Sequence, residues 1–136
     1  MSYGVSAALQ SAVYQKLAAD NALSALVGGA IYDNPPTGTL PATYVSLGPE
    51  DVRDRSDGSA RGALHMFTIS IVTDAAGFQT AKQVAAAVSD CVAEAELLLS
   101  RGTLIYLNFE RATARRVGDG GTRRIDLRFH ARVEDN

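Results

Sequence analysis

The chain reads as an α+β fold, a mainly antiparallel sheet of about four strands with a long helix and an N-terminal helix packed on one face. Three observations give this class. From Arg123 to Val133, Ile125, Leu127, Phe129, Ala131 and Val133 alternate without a break against Arg124, Asp126, Arg128, His130 and Arg132. Strand side chains point to opposite faces in turn, so this segment buries an apolar face and presents a basic one. From Ala63 to Val72 a second alternating run sets His65, Phe67, Ile69 and Ile71 against Leu64, Met66, Thr68, Ser70 and Val72. Between them, Phe78, Ala81, Ala85, Val88, Val92, Ala95 and Leu99 recur at the three-four spacing of an amphipathic helix.

The elements follow in order. Val5, Ala8, Leu9, Ala12, Val13 and Leu17 predict a helix over roughly residues 4–19. Asp20 is a good cap for a second short turn or helix, Asn21 to Val27, and Gly28-Gly29 ends it. Ile31 and Tyr32 begin a short extended piece that Pro35 and Pro36 stop, and Tyr44 to Leu47 forms a short strand after Pro41. Gly48 to Gly62, GPEDVRDRSDGSARG, is charged and has Val52 as its one sizeable apolar residue. It reads as a long connection without secondary structure, either a plain surface loop or an arm that orders on a partner. Its charged members are Glu50, Asp51, Arg53, Asp54, Arg55, Asp57 and Arg61.

The long helix should run from Ala75 or Phe78 to Leu99, with Gly102 as its stop, its alanine-rich seam fitting close against a sheet. Leu104 to Ala114 is a further strand, Gly118 to Gly121 supplies a hairpin turn, and the Arg123 strand closes the order.

With 136 residues the chain is expected to be one domain, 1–136, large enough for its own core. Its 46% hydrophobic and 21% charged residues are those of a soluble globular protein. One cysteine, Cys91, excludes an internal disulfide or a multi-cysteine metal site. No stretch approaches the roughly 20 apolar residues of a membrane span, and no signal segment opens the chain, so synthesis in the cytoplasm is expected.

Nothing points to catalysis. His65 and His130 lie in strands without matched metal-ligand spacing, and Cys91 sits mid-helix on the apolar flank. No nucleophile elbow or phosphate loop occurs. The expectation is therefore no enzyme and no cofactor.

Charge is the more informative property. The net value is -2, yet eight of the thirteen basic residues lie after Ser100, leaving the rest of the chain acidic. Regions of opposite sign could attract each other between copies or be ordinary solvated faces. Arg124, Arg128 and Arg132, with Arg111, Arg115 and Arg116 on the partner strand, form the candidate interface. A nucleic-acid module is a rival reading, but the aromatic platform of single-strand binders is missing.

The distributed pattern resembles the tail-completion, or tail-terminator, proteins of long-tailed phages and gene transfer agents. The carrying residues are Asp20-Asn21-Ala22-Leu23, Leu26-Val27-Gly28-Gly29, Ile31-Tyr32-Asp33, Pro35-Pro36, Pro41, and Tyr44-Val45-Ser46-Leu47-Gly48 with its charged run. Asp74 to Gly77, the alanine-rich helix and Arg124-Ile125-Asp126-Leu127-Arg128-Phe129 complete them. The resemblance implies a structural protein forming a ring, of six copies, on the head-proximal end of the tail tube. Its partners would be copies of itself, the tube protein and a neck or stopper protein, with passing contact with DNA in the lumen and no membrane. It would assemble in the cytoplasm and end in the particle. The arginine face could line the lumen, lie between subunits or meet the tube. Another head-tail connector, a stopper or neck protein, is the nearer alternative.

Overall fold

In the computed structural model, which describes residues 3–58, 61–118 and 120–135, the strands form one five-stranded sheet. The elements run α1 (Ser6–Ala18), α2 (Asn21–Val27), β1 (Ile31–Tyr32), β2 (Thr43–Asp54), β3 (Arg61–Thr73), α3 (Gln79–Val92), β4 (Thr103–Val117) and β5 (Thr122–Asp135). Strand order is β1-β2-β3-β5-β4, antiparallel except for the short parallel β1–β2 pair. The predicted class holds, with β1 as a small fifth strand.

The core lies between one sheet face and the helices. Ile125, Leu127, Phe129, Ala131 and Val133 are buried, as the alternation requires, beside Ile69 and Ile71 of β3. Val84, Val88 and Val92 of α3 and Leu9, Val13 and Leu17 of α1 close over them. Phe129 sits at the centre, stacked on Phe67 at 5.7 Å and edge-on to Phe109 at 5.9 Å. The short helix α2 starts as its sequence predicts, with the Asp20 carboxylate accepting from the Leu23 N–H, and ends at Gly28 with φ of 61°.

Two expectations are corrected. The segment Gly48 to Gly62 is not a long loop. Glu50, Asp51, Arg53 and Asp54 belong to β2, Arg61 opens β3, and only Arg55 to Gly58 are described as the turn, with residues 59 and 60 outside the described part. The backbone of this charged run is paired with β3, Asp51 opposite Met66 and Asp54 opposite Ala63. Its charges are those of an edge strand, where exposed side chains are tolerated and loop composition misleads.

The long helix also stops early, at Val92 rather than Leu99. Ala93 is already extended, and Glu94 takes a φ of 60° while its N–H donates to the Leu107 carbonyl at 2.7 Å. Beyond it, Ala95, Leu97 and Leu99 turn toward the core while Leu98 is 97% exposed. That is the two-residue period of an extended chain, and Ala95 and Leu99 satisfied the helical spacing by coincidence.

Gly102 holds a position that no other residue fits. Its φ is 79°, and a Cβ there would lie 2.7 Å from both the Glu134 carbonyl oxygen and a Val5 methyl.

Truncating Phe129 to alanine should cost about 3–5 kcal/mol of stability, because it would open a cavity between two aromatic neighbours. Urea unfolding followed by circular dichroism measures this, and a loss below about 1 kcal/mol would mean the centre of the sheet can collapse around the gap.

Candidate functional site: the charged face of the sheet

The face away from the helices carries the candidate arginines, and strand register decides which of them meet. Arg111 is opposite Arg128, and Arg115 is opposite Arg124, on neighbouring strands β4 and β5. With Thr113, Asp126, Thr68 and Pro49 these four arginines line a shallow concavity of about 410 Å³. Arg132 lies four residues further along β5, roughly 13 Å from Arg128 in an extended strand. Arg116 does not join them: it is paired with Arg123 and, by alternation, lies on the helix-side face.

The face is not the unopposed basic stripe that the spacing of arginines suggests. Asp126 is its hub. Ser70 Oγ donates to Asp126 Oδ1 at 2.6 Å, Arg124 Nε donates to the same oxygen at 2.9 Å, and Arg124 Nη2 donates to Ser70 Oγ at 3.1 Å. Arg115 Nη2 lies 3.5 Å from Asp126 Oδ2. Arg128 is shared between Glu110, 3.2 Å from its Nε, and Asp51, 3.6 Å from its Nη2. Arg132 donates from Nη2 to the Arg55 carbonyl at 2.7 Å, tying β5 to the β2–β3 turn. A Cβ on Gly62 would lie 2.3 Å from that guanidinium, so the bare glycine makes the crossing possible. Among the described residues, Arg111 and Arg116 are the candidate arginines without an ion pair or hydrogen bond from the side chain.

A second polar cluster sits on the helix-side face at the β2 edge. Glu50 accepts from Tyr3 Oη at 2.5 Å and Ser6 Oγ at 2.6 Å, and its other oxygen is 3.2 Å from His65 Nδ1. His65 is fully buried, with Tyr3 stacked on its ring at 6.4 Å, and its Nε2 has no partner among the described residues. Glu50 therefore anchors the N-terminal segment to the sheet. Sequence reading placed Glu50 in a loose arm and left His65 without a partner. The signal that could have joined them was weak: two residues in strands that turn out to be adjacent.

Both hub carboxylates are held below their usual pKa. For Asp126, burial pushes upward, but hydrogen bonds from Ser70 and Arg124 and the charges of Arg124 and Arg115 outweigh it. For Glu50, burial is likewise outweighed by hydrogen bonds from Ser6, Tyr3 and His65 and by the His65 charge. Cys91 is buried and its pKa is raised by burial, which makes it a poor nucleophile. No group of three or more His, Cys, Asp or Glu capable of holding a metal occurs among the described residues. Among the described residues no helix is long and apolar enough to cross a membrane. The site can make electrostatic contacts with another macromolecule.

Comparison with known proteins gives the same direction. The family described as tail completion protein gp17 matches residues 11–134. A chain in a solved structure of the virion of a native gene transfer agent particle is 62% identical and superposes with a TM-score of 0.93. The match covers 98% of this chain and 99% of that one. No curated protein matches.

The low carboxylate pKa values carry a pH dependence. A folded-state pKa below the unfolded one gives stability that is complete above the unfolded pKa and falls away as pH drops through the folded pKa. The protein should therefore weaken on acidification below about pH 4.5. Asp126→Asn should cost about 1 kcal/mol at neutral pH and make the acid loss shallower, as measured by urea unfolding from pH 7 to 3. An unchanged acid slope would show that Asp126 is not a hub of the fold.

Proposed function

The chain belongs to the tail completion protein gp17 family, and from that premise we propose that it forms a closed ring, of six copies, at the head-proximal end of a phage-type tail. The ring ends growth of the tail tube and joins the tail to the neck of the capsid. The observation that carries this reading is the near-full-length likeness to a chain of a gene transfer agent virion, at 62% identity. Its partners are further copies of itself, the tube protein below and a neck or stopper protein above. It assembles in the cytoplasm and stays in the finished particle.

The physical features support a role in assembly. A ring with cyclic symmetry needs two different patches on each copy that fit head to tail. The sheet ends in two unlike edges, and its charged face is partly exposed to solvent. DNA crossing the lumen would meet arginines already shared with Asp126, Glu110 and Asp51, so contact there is weak and passing.

Particles from a producer lacking this chain should separate into DNA-filled heads and unjoined tails of uncontrolled length under the electron microscope. Joined particles with tails of normal length would overturn the proposal. Heads that are unjoined while tails keep their normal length would reduce the role to a connector that does not terminate the tube.

A further inference from the structure

We propose that β4 of one copy pairs with the open half of β2 of the next, so that the sheets of neighbouring copies join edge to edge. This deepens the ring reading above and rests on it for closure of the row of copies into a ring. β4 is an edge strand 15 residues long, hydrogen-bonded on one side to β5. From Glu110 to Val117 every residue is exposed, and Ile105 and Phe109 are exposed at 50% and 44%. At the other rim, β1 covers β2 at Val45 and Ser46, and among the described residues no strand lies beside Glu50–Asp54 on that side. Unpaired N–H and C=O groups along such edges are a template for another strand.

Charge makes the two edges complementary. The regular stretch Arg111–Val117 carries Arg111, Arg115 and Arg116 and no acid. The regular stretch Glu50–Asp54 carries Asp51 and Asp54 against Arg53, besides Glu50, whose carboxylate is taken up by Tyr3, Ser6 and His65 of the same copy. Each stretch begins just beyond a β-bulge, Leu47/Glu50 in β2 and Phe109/Arg111 in β4.

Direction and face then fix the pairing. β2–β3, β3–β5 and β5–β4 are each antiparallel, so β4 runs opposite to β2. Copies repeated side by side in one continuous sheet keep their directions, so β4 must meet the neighbouring β2 antiparallel. Arg111, Thr113 and Arg115 share the charged face with Asp51 and Arg53, while Ala112, Ala114 and Arg116 share the helix-side face with Glu50, Val52 and Asp54. A register with Asp51 opposite Arg115 keeps both faces and also sets Glu50 opposite Arg116, Val52 opposite Ala114 and Arg53 opposite Thr113. Arg55, in the turn beyond the strand, is the one arginine that then faces another, Arg111. Slipping by two residues in either direction sets Arg53 itself, within the strand, opposite Arg111 or Arg115. Like charges directly opposed destabilise a sheet, so the first register is selected.

Two experiments on assembled particles test the pairing. Val52→Cys with Ala114→Cys in one chain should give, on mild oxidation, a ladder of disulfide-linked copies ending in a closed species. The native Cys91 is buried and remains out of reach. Val52→Cys with Ala112→Cys, one slip away, should link far less. Equal linking by both pairs, or none in joined particles, overturns the proposal. In parallel, Arg115→Asp should lower the yield of joined particles by more than about tenfold. Adding Asp51→Arg to the same chain should restore it. Two strands separate positions 51 and 115 within one copy, so rescue has to act between copies, and failure of rescue overturns the register. The ring reading fails separately: joined particles with tails of normal length when the chain is missing remove it, whatever the cross-links show.

Discussion

The pairing of β3 with β5 is the constraint on which the rest depends. It runs without interruption from Arg61 opposite Asp135 to Thr73 opposite Arg123. A slip of one residue would turn Phe129 and Leu127 to solvent and bury Arg124, Asp126 and Arg128. The apolar alternation of both strands forbids it, so this central pair fixes which face the helices cover and which face stays charged. Irregularities are confined to the outer strands, with bulges in β2 and β4 and none between β3 and β5. The sheet is thus regular in the middle and irregular at its rims.

Energetics divide in the same way. Burying Phe129 and its neighbours stabilises by several kcal/mol, whereas each half-exposed ion pair on the charged face contributes roughly 0–1 kcal/mol. The pairs around Asp126 and Arg128 therefore matter less for holding the fold than for fixing where the guanidinium groups point. They offset about half of the charge on that face, where Asp51, Glu110 and Asp126 stand against Arg53, Arg111, Arg115, Arg124, Arg128 and Arg132. At the rims, among the described residues, Arg111 and Arg116 on β4 and Asp54 on β2 have no ion pair.

Much of this was legible in the sequence, and the failures have one physical origin. Segments with a buried face announce themselves by period, which is why β3, β5 and α1 fall close to their expected places, whereas α2 was marked by its Asp20 cap and Gly28-Gly29 stop. An edge strand has little burial to record, so β2 beyond Leu47 looked like a loop, and its acids looked like an arm. The end of α3 failed for a related reason, since Ala95 and Leu99 fit a helical seam and an extended chain equally well, and the backbone bond from Glu94, past the helix end, to Leu107 of β4 decides between them. The arginine face was legible as a face, because alternation in β5 shows it. The bulge at Phe109/Arg111, which resets the phase of β4, could not be read from spacing, and the partners of each arginine could not either. The Glu50–His65–Tyr3–Ser6 cluster joins residues up to 62 positions apart and leaves no local signal.

A bare edge of this length is a hazard for any chain that must remain separate before it assembles. Several of its features blunt it. Arginines at Arg111, Arg115 and Arg116 repel a second β4, which removes the symmetric pairing of two identical edges. The two bulges in β4 bend it away from flat stacking, and Pro49, inside the β2 bulge, lacks the N–H that a partner strand would use. These devices discourage indiscriminate pairing while leaving one complementary combination, basic edge to acidic edge. The same charges that made residues 48–62 look unstructured thus have a use in the folded molecule: they give the edge a sign, and a signed edge can choose its neighbour.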